Sequence, residues 1–153
     1  VIYNPFLEET FYASQGQGAF LNGQPLHVTT NSSLAECLVA IGTSPYEREY
    51  AASNWPLFAE VFSRCMDIRR GGSASLDLAY VAAGRFDAYL EHYLKPWDMA
   101  AGLVIIREAG GQITNFAGSP IDVNLNSDVC ATNGLIQKEL LTIIKKHWPQ
   151  PNM

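Results

Sequence analysis

Cys37-Leu38-Val39-Ala40-Ile41 is the stretch that most constrains how this chain folds. An unbroken apolar run of strand length has no polar side to turn toward water, so it predicts a central strand. Beyond this run, helix-like and strand-like segments alternate. Trp55, Phe58, Val61, Phe62 and Cys65 recur at helical spacing after Asn54, with Pro56 suited to a first turn. Met66 to Arg69 returns as a strand. Ala74 to Ala83 reads as a helix with Ser73 as N-cap and Gly84 closing it. Phe86 to Leu90 is a strand, and Met99 to Ala109 a helix ended by Gly110-Gly111. Gln112 to Thr114 and Val129 to Ala131 are short strands, and Leu135 to Lys146 is a final amphipathic helix. Alternation of this kind specifies a layered α/β fold, with helices covering a mixed sheet.

The first thirty residues read differently. Val1 to Tyr3, Glu9 to Ala13, Ala19 to Leu21 and Leu26 to Val28 are short strands, and Asn22-Gly23 is a strong hairpin signal. They predict an antiparallel meander. Val1 already sits in a strand, which leads to the expectation of a portion of something longer, or of a chain whose short leader was removed.

Bulk properties exclude several classes. The 153 residues suffice for one domain with a substantial core, and 48% hydrophobic with 16% charged residues excludes a disordered chain. The net charge is −5 and no Lys/Arg run exceeds two residues, so neither nucleic acid nor an anionic membrane is the expected partner. No apolar run approaches the roughly 18 residues of a membrane span. Cys37, Cys65 and Cys130 are widely spaced and odd in number, which predicts reduced thiols in a cytoplasmic protein rather than disulfides or a zinc site.

Three places could carry chemistry. In Lys95-Pro96-Trp97-Asp98, a carboxylate stands at a helix entrance, where it can cap the backbone or ligate a metal. As a ligand, Asp98 would be fixed by Trp97 packed beneath it. Glu91 is expected at the end of its strand, seven residues earlier, which brings both carboxylates to one rim of the sheet. Gly71-Gly72-Ser73-Ala74 lies at a strand-to-helix junction, where free N–H groups can receive an anion or a hydroxyl, or simply form a cap. Glu108, in the last turn of its helix, opposes the helix dipole and needs a partner, Arg107 or a neighbouring chain. No histidine pairs with a serine or cysteine as in a hydrolase.

These motifs resemble the inositol monophosphatase family of Mg²⁺-dependent, lithium-sensitive phosphatases. Trp97-Asp98-x-Ala100-Ala101-Gly102 followed by Glu108-Ala109-Gly110-Gly111 is similar to its C-terminal signature. Gly16-x-Gly18-Ala19-Phe20-x-Asn22-Gly23, Arg69-x-Gly71-Gly72-Ser73-Ala74 and Ala82-x-Gly84-Arg85-x-Asp87-Ala88-Tyr89-x-Glu91 are similar to further family elements in the same order. The resemblance implies the C-terminal subdomain of the sugar-phosphatase fold. It implies that Asp98 is a catalytic residue and a Mg²⁺ ligand, that Glu91 accepts a hydrogen bond from a substrate hydroxyl, and that Gly72, Ser73 and Ala74 bind substrate through the backbone. It also implies two or three Mg²⁺ ions in the complete enzyme, a small-molecule phosphate monoester as substrate, and a possible homodimer.

One departure is large. The family's Asp-Pro-x-Asp-Gly-Thr motif is absent, since none of Asp67, Asp77, Asp87, Asp98, Asp122 and Asp128 is followed by Pro or Gly. The expectation is a C-terminal portion whose metal-binding N-terminal part lies elsewhere, inactive by itself. The parent reaction would be hydrolysis of inositol monophosphate or a related polyol phosphate. Fructose bisphosphate or adenosine bisphosphate would be family alternatives, and a non-catalytic interaction or regulatory module an alternative of another class.

Overall fold

The computed structural model describes residues 1–148. Strands β1 (Ile2–Asn4), β2 (Glu9–Ala13), β3 (Ala19–Leu21) and β4 (Gln24–Pro25) form an antiparallel sheet in chain order. The β3–β4 turn is Asn22-Gly23, both at positive φ, as the twist of a tight hairpin demands. The fourth strand is shorter and earlier than expected. It stops at Pro25, and the chain then leaves the sheet, so that the Val28 N–H donates to the Ala109 carbonyl while Leu26 stays buried as an anchor.

The second sheet has five strands in the order β6-β5-β7-β9-β8. They are β5 (Leu38–Ile41), β6 (Asp67–Arg69), β7 (Ala88–Leu94), β8 (Gln112–Thr114) and β9 (Ser127–Thr132). The apolar run thus lies inside the sheet, parallel to a neighbour on each side, while β9 runs antiparallel to β7 and β8. Helices α1 (Ala51–Phe62) and α4 (Gln137–His147) cover one face; α2 (Ala74–Ala82) and α3 (Pro96–Glu108) cover the other. The four-stranded sheet packs on the far side of α2 and α3, with Ile2, Phe11 and Ala19 in their shared core. Alternation along β7 decides which core each residue joins: Ala88 and Leu90 face α1 and α4, and Tyr89 faces α2 and α3.

Three boundaries differ from expectation in ways that matter. Helix α1 begins at Ala51, so Pro56 lies within it, because the turn at Arg48–Tyr50 and two alanines already favour helical backbone. Its buried face is Asn54, Leu57, Phe58 and Val61; Trp55 and Phe62 are exposed, and Cys65 lies beyond the helix end, half-buried. Strand β7 starts two residues late and continues to Leu94, through a register shift between Glu91 and Leu94 where Tyr93 takes a positive φ of 61°. The thiols of Cys37 and Cys130 are free and buried, which pushes both up to about 12. Among the described residues, no helix is long and apolar enough to cross a membrane.

Two contacts hold the layers in place. Gly102 lets α3 approach α2: a Cβ there would come within 2.6 Å of Leu78 Cδ1 and 2.8 Å of Leu78 Cβ. Glu108 finds partners within the chain, in the β2–β3 turn and not in Arg107. Its Oε1 accepts the Gly16 N–H (2.8 Å) and its Oε2 the Gly18 N–H (2.9 Å), so the end of α3 clamps the β2–β3 turn.

Gly102→Ala is expected to cost about 1–3 kcal/mol through overpacking, read from urea unfolding. Glu108 carries a second expectation. The Gly16 and Gly18 N–H groups lower its pKa, so its stabilisation is complete above the ordinary glutamate value and is lost as pH falls through the lowered one. Glu108→Gln should therefore reduce the unfolding midpoint at pH 7, and the deficit should shrink below about pH 4.

Candidate functional site

The parallel arrangement of β6, β5 and β7 sends the loops after β5 and β6 to the same end of the sheet, where ligands collect in open α/β folds. Those loops, with the last residues of β7 and the first of α3, enclose a pocket of about 170 Å³. Gly72, Ala74, Glu91 and Asp98 all line it. Ser73 does not; its side chain makes no cap, and its hydroxyl lies 3.3 Å from that of Ser75.

Glu91 is buried and lies within β7 rather than at its end. Its Oε1 accepts the Ser44 N–H at 2.9 Å, and its Oε2 accepts the hydroxyl of Tyr89, two residues back on the same face of the strand. Gly42 leaves space for it, since a Cβ there would overlap the carboxyl group. Ser44 is held in turn: its backbone is in the left-handed region (φ 47°), and its hydroxyl donates to the His92 carbonyl at 2.6 Å. Two donors on two oxygens hold the carboxyl group in one orientation.

Asp98 is the third residue of α3, not its N-cap. The N-cap is Lys95, whose N–H donates to Asp98 Oδ2 at 3.1 Å, and Pro96 opens the first turn. Trp97 does not pack beneath the carboxylate; it is 78% exposed. Backbone geometry fixes Asp98 instead: proline at the first helical position, and the Lys95 N–H donated to the Asp98 carboxylate at the third.

The pocket holds groups that sequence reasoning passed over. Asp77, on α2, is buried beside it, with Gly71 approaching so closely that a Cβ there would overlap its carboxyl. Burial first, then the negative charge of Glu91, pushes Asp77 up to about 6, against a weaker pull from the Gly72 N–H and Arg70. Arg70 and Lys95 bring positive charge to the lining, and Lys95 Nζ sits 4.6 Å from the Tyr93 ring centroid. His92 is buried between Tyr50 and Trp148, each ring 3.9 Å away between centroids. Its Nδ1 touches the Asp128 carboxylate out of line for a hydrogen bond. The missed signal was the small-residue run Gly42-Thr43-Ser44 directly after a buried parallel strand, a place where a loop can approach a ligand.

The donor set bears on the metal that the resemblance implies. Among the described residues, no three His, Cys, Asp or Glu side chains gather as a cage. Asp98 has one oxygen in the cap and the other without a hydrogen-bond partner among the described residues, while both Glu91 oxygens are engaged. That fits one position in the oxygen shell of a hard cation and does not fit a complete site.

A match to the inositol monophosphatase family model spans residues 1–149. The chain belongs to the inositol monophosphatase family. It is 43% identical over 140 residues to an inositol-1-monophosphatase of Synechocystis, covering 92% of this chain and 48% of that protein. It is 42% identical over 141 residues to Nus factor SuhB of Escherichia coli, covering 92% and 52%. The solved inositol monophosphatase of Anabaena superposes with a TM-score of 0.89 at 36% identity, covering 97% of this chain and 58% of that one. The chain thus spans about half the length of the curated relatives it matches.

Asp77 yields a pH expectation. Its folded pKa is above the ordinary 3.8, so between 3.8 and about 6 the native chain keeps a proton that the unfolded chain releases. Stability from this group is therefore fullest below 3.8 and declines as pH rises through about 6. Asp77→Asn should be more stable relative to the parent at pH 8 than at pH 4, measured by urea unfolding at both.

Proposed function

We propose that residues 1–149 form the substrate-orienting portion of a divalent-metal-dependent phosphomonoesterase acting on a polyol phosphate, inositol monophosphate being the simplest candidate. The observation that carries this reading is the meeting of Glu91, Asp98 and the Gly72–Ala74 backbone in one pocket. Glu91, held in place by its two donors, can accept a hydrogen bond from a ligand hydroxyl. It would repel a phosphate in the same place, which favours a polyol monophosphate over a bisphosphate. Arg70 and Lys95 offset the negative charge of an arriving phosphate ester, and the cap holds Asp98 so that one oxygen remains for a cation. A cation bound there, with its other ligands supplied from outside residues 1–148, would activate water and neutralise charge on the departing oxygen.

One relative carries the name Nus factor rather than that of a phosphatase, which favours a second reading as an interaction or regulatory module. Turnover separates the two. In a family-length protein containing this chain, Mg²⁺-dependent hydrolysis of inositol monophosphate is expected, exceeding that of fructose bisphosphate or adenosine bisphosphate. Asp98→Asn should lower kcat by about 10²-fold or more if it removes a metal ligand. Near-parental turnover in that variant would overturn the assignment, and no turnover in the parent would favour the module.

A further inference from the structure

We propose that Tyr89 is a positioning residue of this pocket, its phenol hydroxyl holding the Glu91 carboxylate in the orientation that receives a ligand hydroxyl. The proposal rests on the reading of Glu91 as a hydroxyl acceptor.

Tyr89 is fully buried in the core shared by β7, α2 and α3, a place where phenylalanine would do if only packing mattered. A buried phenol needs a partner for its O–H, and here that partner is the carboxylate two residues along the strand. Glu91 is then restrained from three directions: the Ser44 N–H on Oε1, the Tyr89 hydroxyl on Oε2, and the Gly42 backbone against the carboxyl carbon. Turning the carboxyl out of this position would give up both donors. Each carboxylate oxygen can accept more than one hydrogen bond, so capacity remains on the pocket side for a ligand O–H.

The neighbouring acid sharpens the role of the phenol. Asp77 and Glu91 both line the pocket as buried carboxyl groups, and the phenol hydroxyl bonds Glu91. The Ser44 N–H and the Tyr89 hydroxyl serve Glu91, whereas Asp77 receives the Gly72 N–H. Burial and the Glu91 charge raise the Tyr89 phenol well above its ordinary value, so it stays a donor throughout the neutral range. The Tyr89 O–H bond thus fixes where the Glu91 acceptor points.

The test is a double-variant cycle in the complete, metal-loaded protein, using Tyr89→Phe and Glu91→Gln. The ligands are inositol monophosphate and its monodeoxy analogues. Tyr89→Phe is expected to raise KM by about tenfold, as for loss of one hydrogen bond to a charged group, with kcat within about twofold. In the Glu91→Gln background, Tyr89→Phe should add little, and the penalty should vanish for the analogue lacking the hydroxyl that Glu91 receives. Independent, additive penalties, or an equal penalty for every analogue, would overturn the proposal. An isotope-edited infrared band of the Glu91 carboxylate supplies a readout that needs no turnover. A band that shifts in Tyr89→Phe supports the positioning bond even where no polyol phosphate is hydrolysed, in which case the reading of function has failed and not the bond. A band that does not shift overturns the proposal directly.

Discussion

The carboxyl of Glu91, buried within β7, is the constraint on which the rest of the pocket depends. A polar group removed from water needs partners in fixed places, and three of the pocket's structural peculiarities supply or accommodate them. Ser44 adopts a left-handed backbone conformation, costly for a residue with a side chain, and in doing so presents its N–H to Oε1. Tyr89 carries a hydroxyl into an otherwise apolar core to reach Oε2. Gly42 gives up a side chain so that the carboxyl can lie against the backbone. None of these features makes sense alone; together they are the supports of one carboxyl group.

The second carboxylate is positioned by different physics. Asp98 owes its place to the opening turn of α3, where Pro96 sets the first dihedral and the Lys95 N–H takes one carboxylate oxygen. Capping and ligation are therefore not rival roles for this residue, since a cap occupies one oxygen and leaves the other. Close packing of α3 on α2 through Gly102, and the clamp of Glu108 on the Gly16–Gly18 turn, tie that helix to the layers on both sides. A site at the entrance of α3 inherits its rigidity from those contacts.

Much of the architecture was legible in the chain because it depends on patterns of near neighbours. The run Cys37–Ile41, the Asn22-Gly23 turn, the helix closed by Gly84 and the rim location of Glu91 and Asp98 all arise from periodicity and turn chemistry. The errors fall where helix phase or a distant contact overrides a first reading of the residue. Trp97 looked like a packing residue and is exposed, because helix phase at the start of α3 turns it to solvent. Strand β7 runs past Glu91 because β9 offers a partner as far as Ser127. Glu108 looked like a helix-end liability, and its partners lie about ninety residues earlier in the chain.

By itself the sequence determined the layered α/β class, the family resemblance and the acidic residues of the rim, since each is written in residue type and short spacing. Only the tertiary structure decided that Tyr89 and Ser44 serve Glu91, that Asp77 stands beside it with a raised pKa, and that Ser73 stays out of the pocket. The reason is physical. Hydrogen-bond partners of a buried charge, and the charge it imposes on its neighbours, depend on distances between segments far apart in the chain, and no local pattern encodes those distances.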